Sequence, residues 1–120
     1  MVTALIALLT ALAGPNVSLA VRYDDGFGHG HRATLTCRAE TARATGWLAR
    51  SPVRACRRAR RLPAPIPANR MCTQIYGGPQ TARITGRVGA RRINRKLSRT
   101  NGCRISEWSR MAPLVPAPRS

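Results

Sequence analysis

Cys72-Thr73-Gln74-Ile75-Tyr76-Gly77-Gly78-Pro79 places a run of β-branched and aromatic side chains between a cysteine and a Gly-Gly-Pro breaker. Thr, Ile and Tyr favour extended backbone, and Gly-Gly-Pro ends the run in a turn. The segment reads as an extended loop with one covalent anchor. The competing reading is an ordinary buried strand with Ile75 and Tyr76 in the core. The two differ in which way those side chains face.

A loop can be rigid only if its scaffold is. At 120 residues the chain is one domain, and with two Trp, two Tyr and one Phe its core must be built from Val, Leu, Ile and Ala. Cross-links supply stability that so lean a core lacks. The four cysteines, Cys37, Cys56, Cys72 and Cys103, allow three pairings, and spacing does not choose among them.

The cysteines bear on compartment, and so does the amino terminus. Val2 to Ala13 is almost wholly apolar and ends in Ala11-Leu12-Ala13, an A-x-A pattern. Residues 1–13 are therefore expected to be a signal peptide, and the protein to be secreted. The alternative is a buried strand or helix. The run is shorter than the roughly 20 residues a membrane span needs, so no span is expected. Ser18-Leu19-Ala20 offers a second cleavage pattern, but residues 18–23 alternate with the period of a half-buried strand. Cleavage after Ala13 is therefore preferred.

Further along, Asp24-Asp25-Gly26-Phe27-Gly28-His29-Gly30-His31 is a turn, and Ala33 to Cys37 returns as a strand with Leu35 and Cys37 on one face. Ser51-Pro52 predicts a helix start, with Val53, Cys56, Ala59 and Leu62 at helical spacing until Pro63. Pro63, Pro65 and Pro67 make an extended connector into the Cys72 segment. Thr81–Thr85 and Arg92–Leu97 alternate as strands, with Gly86 and Gly89 marking the turn between them. The domain is expected over residues 14–112, followed by a Pro-rich tail, residues 113–120, without a folding signal.

The net charge is +17, from 21 basic residues against Asp24, Asp25, Glu40 and Glu107. Such a field attracts polyanions. The densest runs, Arg57-Arg58-Ala59-Arg60-Arg61 and Arg91 to Lys96, lack the interleaved aromatics of sequence-tolerant single-strand binding, so nucleic acid is not an expected partner. No C-x-x-C pair stands in the chain, which argues against a zinc site, and His29 and His31 read as solvated turn residues. An oxidised set of cysteines leaves no thiolate nucleophile. No serine lies in a G-x-S-x-G turn. No catalytic residue, metal or cofactor is expected, and the chain is read as a non-enzyme.

Thr34-Leu35-Thr36-Cys37, Ala55-Cys56, Cys72 to Pro79 and Asn101-Gly102-Cys103 together resemble the Streptomyces subtilisin inhibitor family over roughly residues 18–108. The resemblance implies an α+β fold: an antiparallel five-stranded sheet, two short helices and sequential disulfides, Cys37 with Cys56 and Cys72 with Cys103. It implies a secreted, homodimeric inhibitor of subtilisin-like serine proteases. Carried over, Gln74 enters the protease's primary pocket and Gln74–Ile75 is the reactive bond. Met71, Cys72, Thr73 and Tyr76 line the contact, and Asn101 braces the loop from behind. The chain departs from the family's pattern at Arg43-Ala44-Thr45-Gly46-Trp47, which replaces a Gly-Gly-x-His-Pro run, and at Val88, near which a tryptophan is missing. A secreted polyanion-binding or nucleic-acid-binding protein, motivated by the charge, is the alternative expectation.

Overall fold

The computed structural model describes residues 14–118; the expected signal peptide, residues 1–13, lies outside them. Five antiparallel strands form one sheet in the order β3-β2-β1-β4-β5. They are β1 (Val17–Asp24), β2 (Gly30–Cys37), β3 (Ala42–Ala44), β4 (Thr81–Val88) and β5 (Arg91–Leu97). Two helices, α1 (Pro52–Arg60) and α2 (Gly102–Arg110), and a 3₁₀ turn at Gly46–Arg50 complete the α+β fold.

Alternation decides which face is covered. Val17, Leu19 and Val21 of β1, Ala33, Leu35 and Cys37 of β2, Ala82, Ile84 and Val88 of β4, and Ile93 and Leu97 of β5 are buried. They share one core with Leu48, Ala55, Cys56, Ala59 and Trp108 from the helical side. Each fully buried Val, Leu or Ile contributes roughly 1.5–3 kcal/mol. β1 sits at the centre, paired with β2 from Val17↔Cys37 to Asp24↔Gly30 and with β4 from Val17↔Val88 to Asp24↔Thr81.

The expected turn glycines divide. Gly89 is the first central residue of a two-residue hairpin turn between β4 and β5, with φ +60°, the conformation such turns reserve for glycine. Gly86 instead lies inside β4 opposite Leu19 and Ile93. Its φ is +137°, and a Cβ there would overlap the Ser18 carbonyl oxygen. A glycine in a strand marks close backbone approach as readily as a turn.

α1 begins at Pro52, as its sequence predicts, but the Ser51 side chain caps nothing. The start is held by Ala55 N–H donating to the Ser51 carbonyl at 3.0 Å. Leu62 lies past the helix end, partly buried against the core. The disulfide Cys37–Cys56 ties α1 to the end of β2.

The carboxyl-terminal segment, expected as a Pro-rich tail without a folding signal, packs against the domain as far as it is described. Leu114 and Val115 are buried in the core. Trp47 Nε1 donates to the Leu114 carbonyl at 2.9 Å and Trp108 Nε1 to the Pro116 carbonyl at 3.0 Å, so the domain runs past residue 112. Prolines prevent regular structure here but not burial. Two indole N–H groups supply the donors that a helix or strand would have given.

Candidate functional site

Residues 71–78 connect the proline-rich segment to β4 without joining the sheet. Met71 is 97 % exposed, Ile75 63 % and Tyr76 64 %. Thr73 and Gln74 are exposed as well, while Cys72 is half-buried. The buried-strand reading is thereby excluded: Ile75 and Tyr76 face solvent. Among the described residues no hydrogen bond takes the backbone N–H groups of residues 73–76, so they remain open to a partner strand.

An exposed apolar loop would ordinarily collapse onto the surface. Covalent and polar clamps at both ends prevent it. Upstream, Cys72 is bonded to Cys103 at the start of α2, with Cα atoms 5.4 Å apart. Gly102 N–H donates to the Thr73 carbonyl at 2.9 Å. A Cβ on residue 102 would overlap Thr73 Oγ1, so a larger residue there would have to push the Thr73 side chain aside. Downstream, Gly77 and Arg99 exchange two bonds: Gly77 N–H donates to the Arg99 carbonyl at 2.7 Å, and Arg99 Nε donates to the Gly77 carbonyl at 3.1 Å. The Arg99 guanidinium in turn lies 5.7 Å from the Trp108 ring centroid, a cation–π contact that joins the clamp to the core. Four residues, Thr73 to Tyr76, span the interval between the clamps.

Asn101, the residue expected behind the loop, is the N-cap of α2. Its Oδ1 accepts from Arg104 N–H at 3.0 Å. This bond fixes the first turn of the helix that carries both Gly102 and Cys103, so in the free protein Asn101 acts on the loop through α2. The sequence assigns no role to Arg99 or Trp108, and Gly102 enters it only as part of the Asn101-Gly102-Cys103 motif. Gly102 carried a visible signal, a glycine between an N-cap asparagine and a cysteine, whereas the role of Arg99 exists only through the fold.

A recess of about 560 Å³ flanks the loop's upstream side, lined in part by Ile66, Arg70, Met71, Gln74 and Arg104. No group of three His, Cys, Asp or Glu side chains that could hold a metal occurs among the described residues. His29 pairs with Asp25 at 2.9 Å within its turn. The Asp25 carboxyl is held below its ordinary 3.8, chiefly by the backbone N–H of Phe27. No helix among the described residues is long and apolar enough to cross a membrane.

Compared with known proteins, the chain matches no family model, no curated protein sequence and no solved structure. The geometry of the loop therefore has to carry the functional reading.

Proposed function

We propose that this protein is a secreted inhibitor of subtilisin-like serine proteases, acting through residues 71–76 as a substrate that is held after it is attacked. The single observation that carries this reading is an exposed loop fastened at both ends, by Cys72–Cys103 and Gly102 upstream and by Arg99 downstream. The resemblance of its residues to the subtilisin inhibitor family supports it, and two disulfides suit an oxidising compartment.

Residues 73–76 add to the protease as a strand, their free backbone groups pairing with the enzyme's cleft. Gln74 fills the primary pocket, and Met71 an apolar pocket three places upstream. The protease's serine attacks the Gln74 carbonyl by its normal route and Ile75 leaves as an amine. Because Gly77 is tied to Arg99, that amine stays beside the acyl group and the bond re-forms in competition with hydrolysis. The loop is ordered before binding, so little affinity is lost to ordering it afterwards. Such complexes bury about 1,600 Å² in total. The test is a titration of the oxidised protein against subtilisin, with sequencing of any nicked product. Stoichiometric inhibition with a nick between Gln74 and Ile75 is expected; ready cleavage elsewhere without inhibition would reject the reading.

A different observation favours a second reading. The uncovered face of the sheet carries Arg22, Arg32, Arg43, Arg83, Arg87, Arg92 and Lys96, all exposed. Arg32, Arg22, Arg83 and Lys96 stand directly opposite one another across four strands. Like charges in register repel, and no ion pair among the described residues relieves them. The nearby acid, Asp24, accepts from Gly26 N–H in its own turn. A polyanion would neutralise this face, with binding that falls log-linearly as salt rises. The same charges bear on the homodimer that the resemblance implies, because joining two copies through this face would oppose cations to cations.

A further inference from the structure

Glu107 is the one buried charged residue among those described, 4 % exposed, in a chain with four acids. Burying a carboxylate is costly unless it is paired and hydrogen-bonded. Its partners are specific. Glu107 Oε2 accepts from the Ile66 backbone N–H at 2.9 Å, and Oε1 accepts from Arg104 Nη1 at 2.5 Å. Arg104 Nη2 then donates to the Ile66 carbonyl at 3.0 Å. The ion pair thus takes both the N–H and the C=O of one residue, as a neighbouring strand would.

Ile66 needs such a partner because of its sequence. Pro63, Pro65 and Pro67 remove alternate donors from the connector, so it cannot join a sheet, and the Ile66 side chain is itself buried. Arg95 Nη1 donates to the Pro63 carbonyl at 2.8 Å. Burial lowers the Arg95 pKa, and the charge of Glu107 opposes that shift. One carboxylate therefore acts on two guanidiniums that each hold a carbonyl of the connector, Pro63 and Ile66, eight and five residues before Met71.

We infer that Glu107 is the positioning residue for the upstream arm of the reactive loop: with Arg104 it replaces a missing strand, fixes Ile66 on α2, and so sets where Met71 to Gln74 stand. The inference rests on the inhibitor reading. Arg104 follows Cys103 directly, so the disulfide and the ion pair hold the same arm from one helical turn. After attack at Gln74, the acyl side is kept in register by this pair, as the amine side is kept by Arg99. Loosening it leaves every protease-contacting side chain chemically unchanged but lets the acyl end move. The consequence is faster hydrolysis at unchanged loop chemistry.

The test uses Glu107→Gln, which keeps an oxygen acceptor for Ile66 N–H but loses the charge that holds Arg104. Arg104→Met breaks the pair from the other side. Glu40→Gln makes the same charge change at an exposed site. Since a displacement of about 1 Å costs on the order of a hundredfold in reactions that depend on position, attack of the Ile75 amine on the acyl group slows, water competes better, and net hydrolysis of the Gln74–Ile75 bond is expected to accelerate by tens of fold in the first two variants. They should inhibit on mixing and then lose inhibition, while Glu40→Gln matches the parent. Amide exchange supplies a readout that does not need a protease. The Ile66 and Arg70 amides, the hydrogen-bonded ones of this arm, should exchange faster in Glu107→Gln and Arg104→Met, with the strands still protected. Equal hydrolysis, or equal exchange in a variant that folds, overturns the inference. A parent protein that inhibits nothing rejects the proposed function instead, and the exchange result then judges the positioning role alone. Should Glu107→Gln fail to fold, Arg104→Met decides by the same criteria.

Discussion

Removing the Cys72–Cys103 bond separates a global from a local contribution, because the molecule contains its own control. The two disulfides span 19 and 31 residues. On the chain-entropy relation, Cys37–Cys56 stabilises by about 3.2 kcal/mol and Cys72–Cys103 by about 3.7 kcal/mol. The paired variants Cys37→Ala/Cys56→Ala and Cys72→Ala/Cys103→Ala should therefore lose nearly equal stability in urea. Their loops should not behave alike. Without Cys72–Cys103, the upstream clamp beside the loop is the single Gly102–Thr73 hydrogen bond, worth on the order of 1 kcal/mol. Each backbone residue that must be ordered costs roughly 1–2 kcal/mol, so this one bond upstream and the two Gly77–Arg99 bonds downstream cannot together keep the four residues Thr73 to Tyr76 extended. The assay is a subtilisin titration of both variants at a temperature where circular dichroism shows them folded, with timed sequencing of the nick. The Cys72→Ala/Cys103→Ala variant should be consumed as a substrate, while Cys37→Ala/Cys56→Ala still inhibits. Equal loss in both, or retained inhibition without Cys72–Cys103, would refute the view that loop order is the source of inhibition.

Gln74→Lys should shift inhibition towards trypsin, whose primary pocket holds a carboxylate that the uncharged parent residue cannot pair with; unchanged potency against both trypsin and subtilisin would show that Gln74 is not the primary contact. Leu114→Ala should destabilise by roughly 2–5 kcal/mol, the range for a fully buried leucine, and urea unfolding showing no loss would mean the terminal segment is not part of the core. Sedimentation at low and high salt addresses self-association: a dimer formed through the open sheet face should strengthen as salt screens Arg22, Arg32, Arg83 and Lys96. A dimer that weakens with added salt would have to use another surface.

Much of the scaffold was legible because it rests on short-range rules. Alternation in residues 18–23 and 81–85, and the proline at position 52, correspond to β1, β4 and the start of α1. The resemblance carried the strand number and the cysteine pairing, and both are present. Gly86 was misread since a glycine reports either a turn or a close approach, and only the neighbouring strand, here Ser18, tells which. The buried end of the chain was missed for a similar reason: Leu114 and Val115 stand alone among prolines, and nothing local shows that Trp47 and Trp108 reach their backbone.

By itself the sequence determined the periodic elements, the covalent options and a loop whose composition resists helix. Only the tertiary structure decided that the loop faces outward and what holds it. Arg99, Gly102, Arg104 and Glu107 act on residues 22 to 41 positions away. Contacts of that kind leave no periodicity or spacing to read, because they depend on where the sheet delivers each end of the chain.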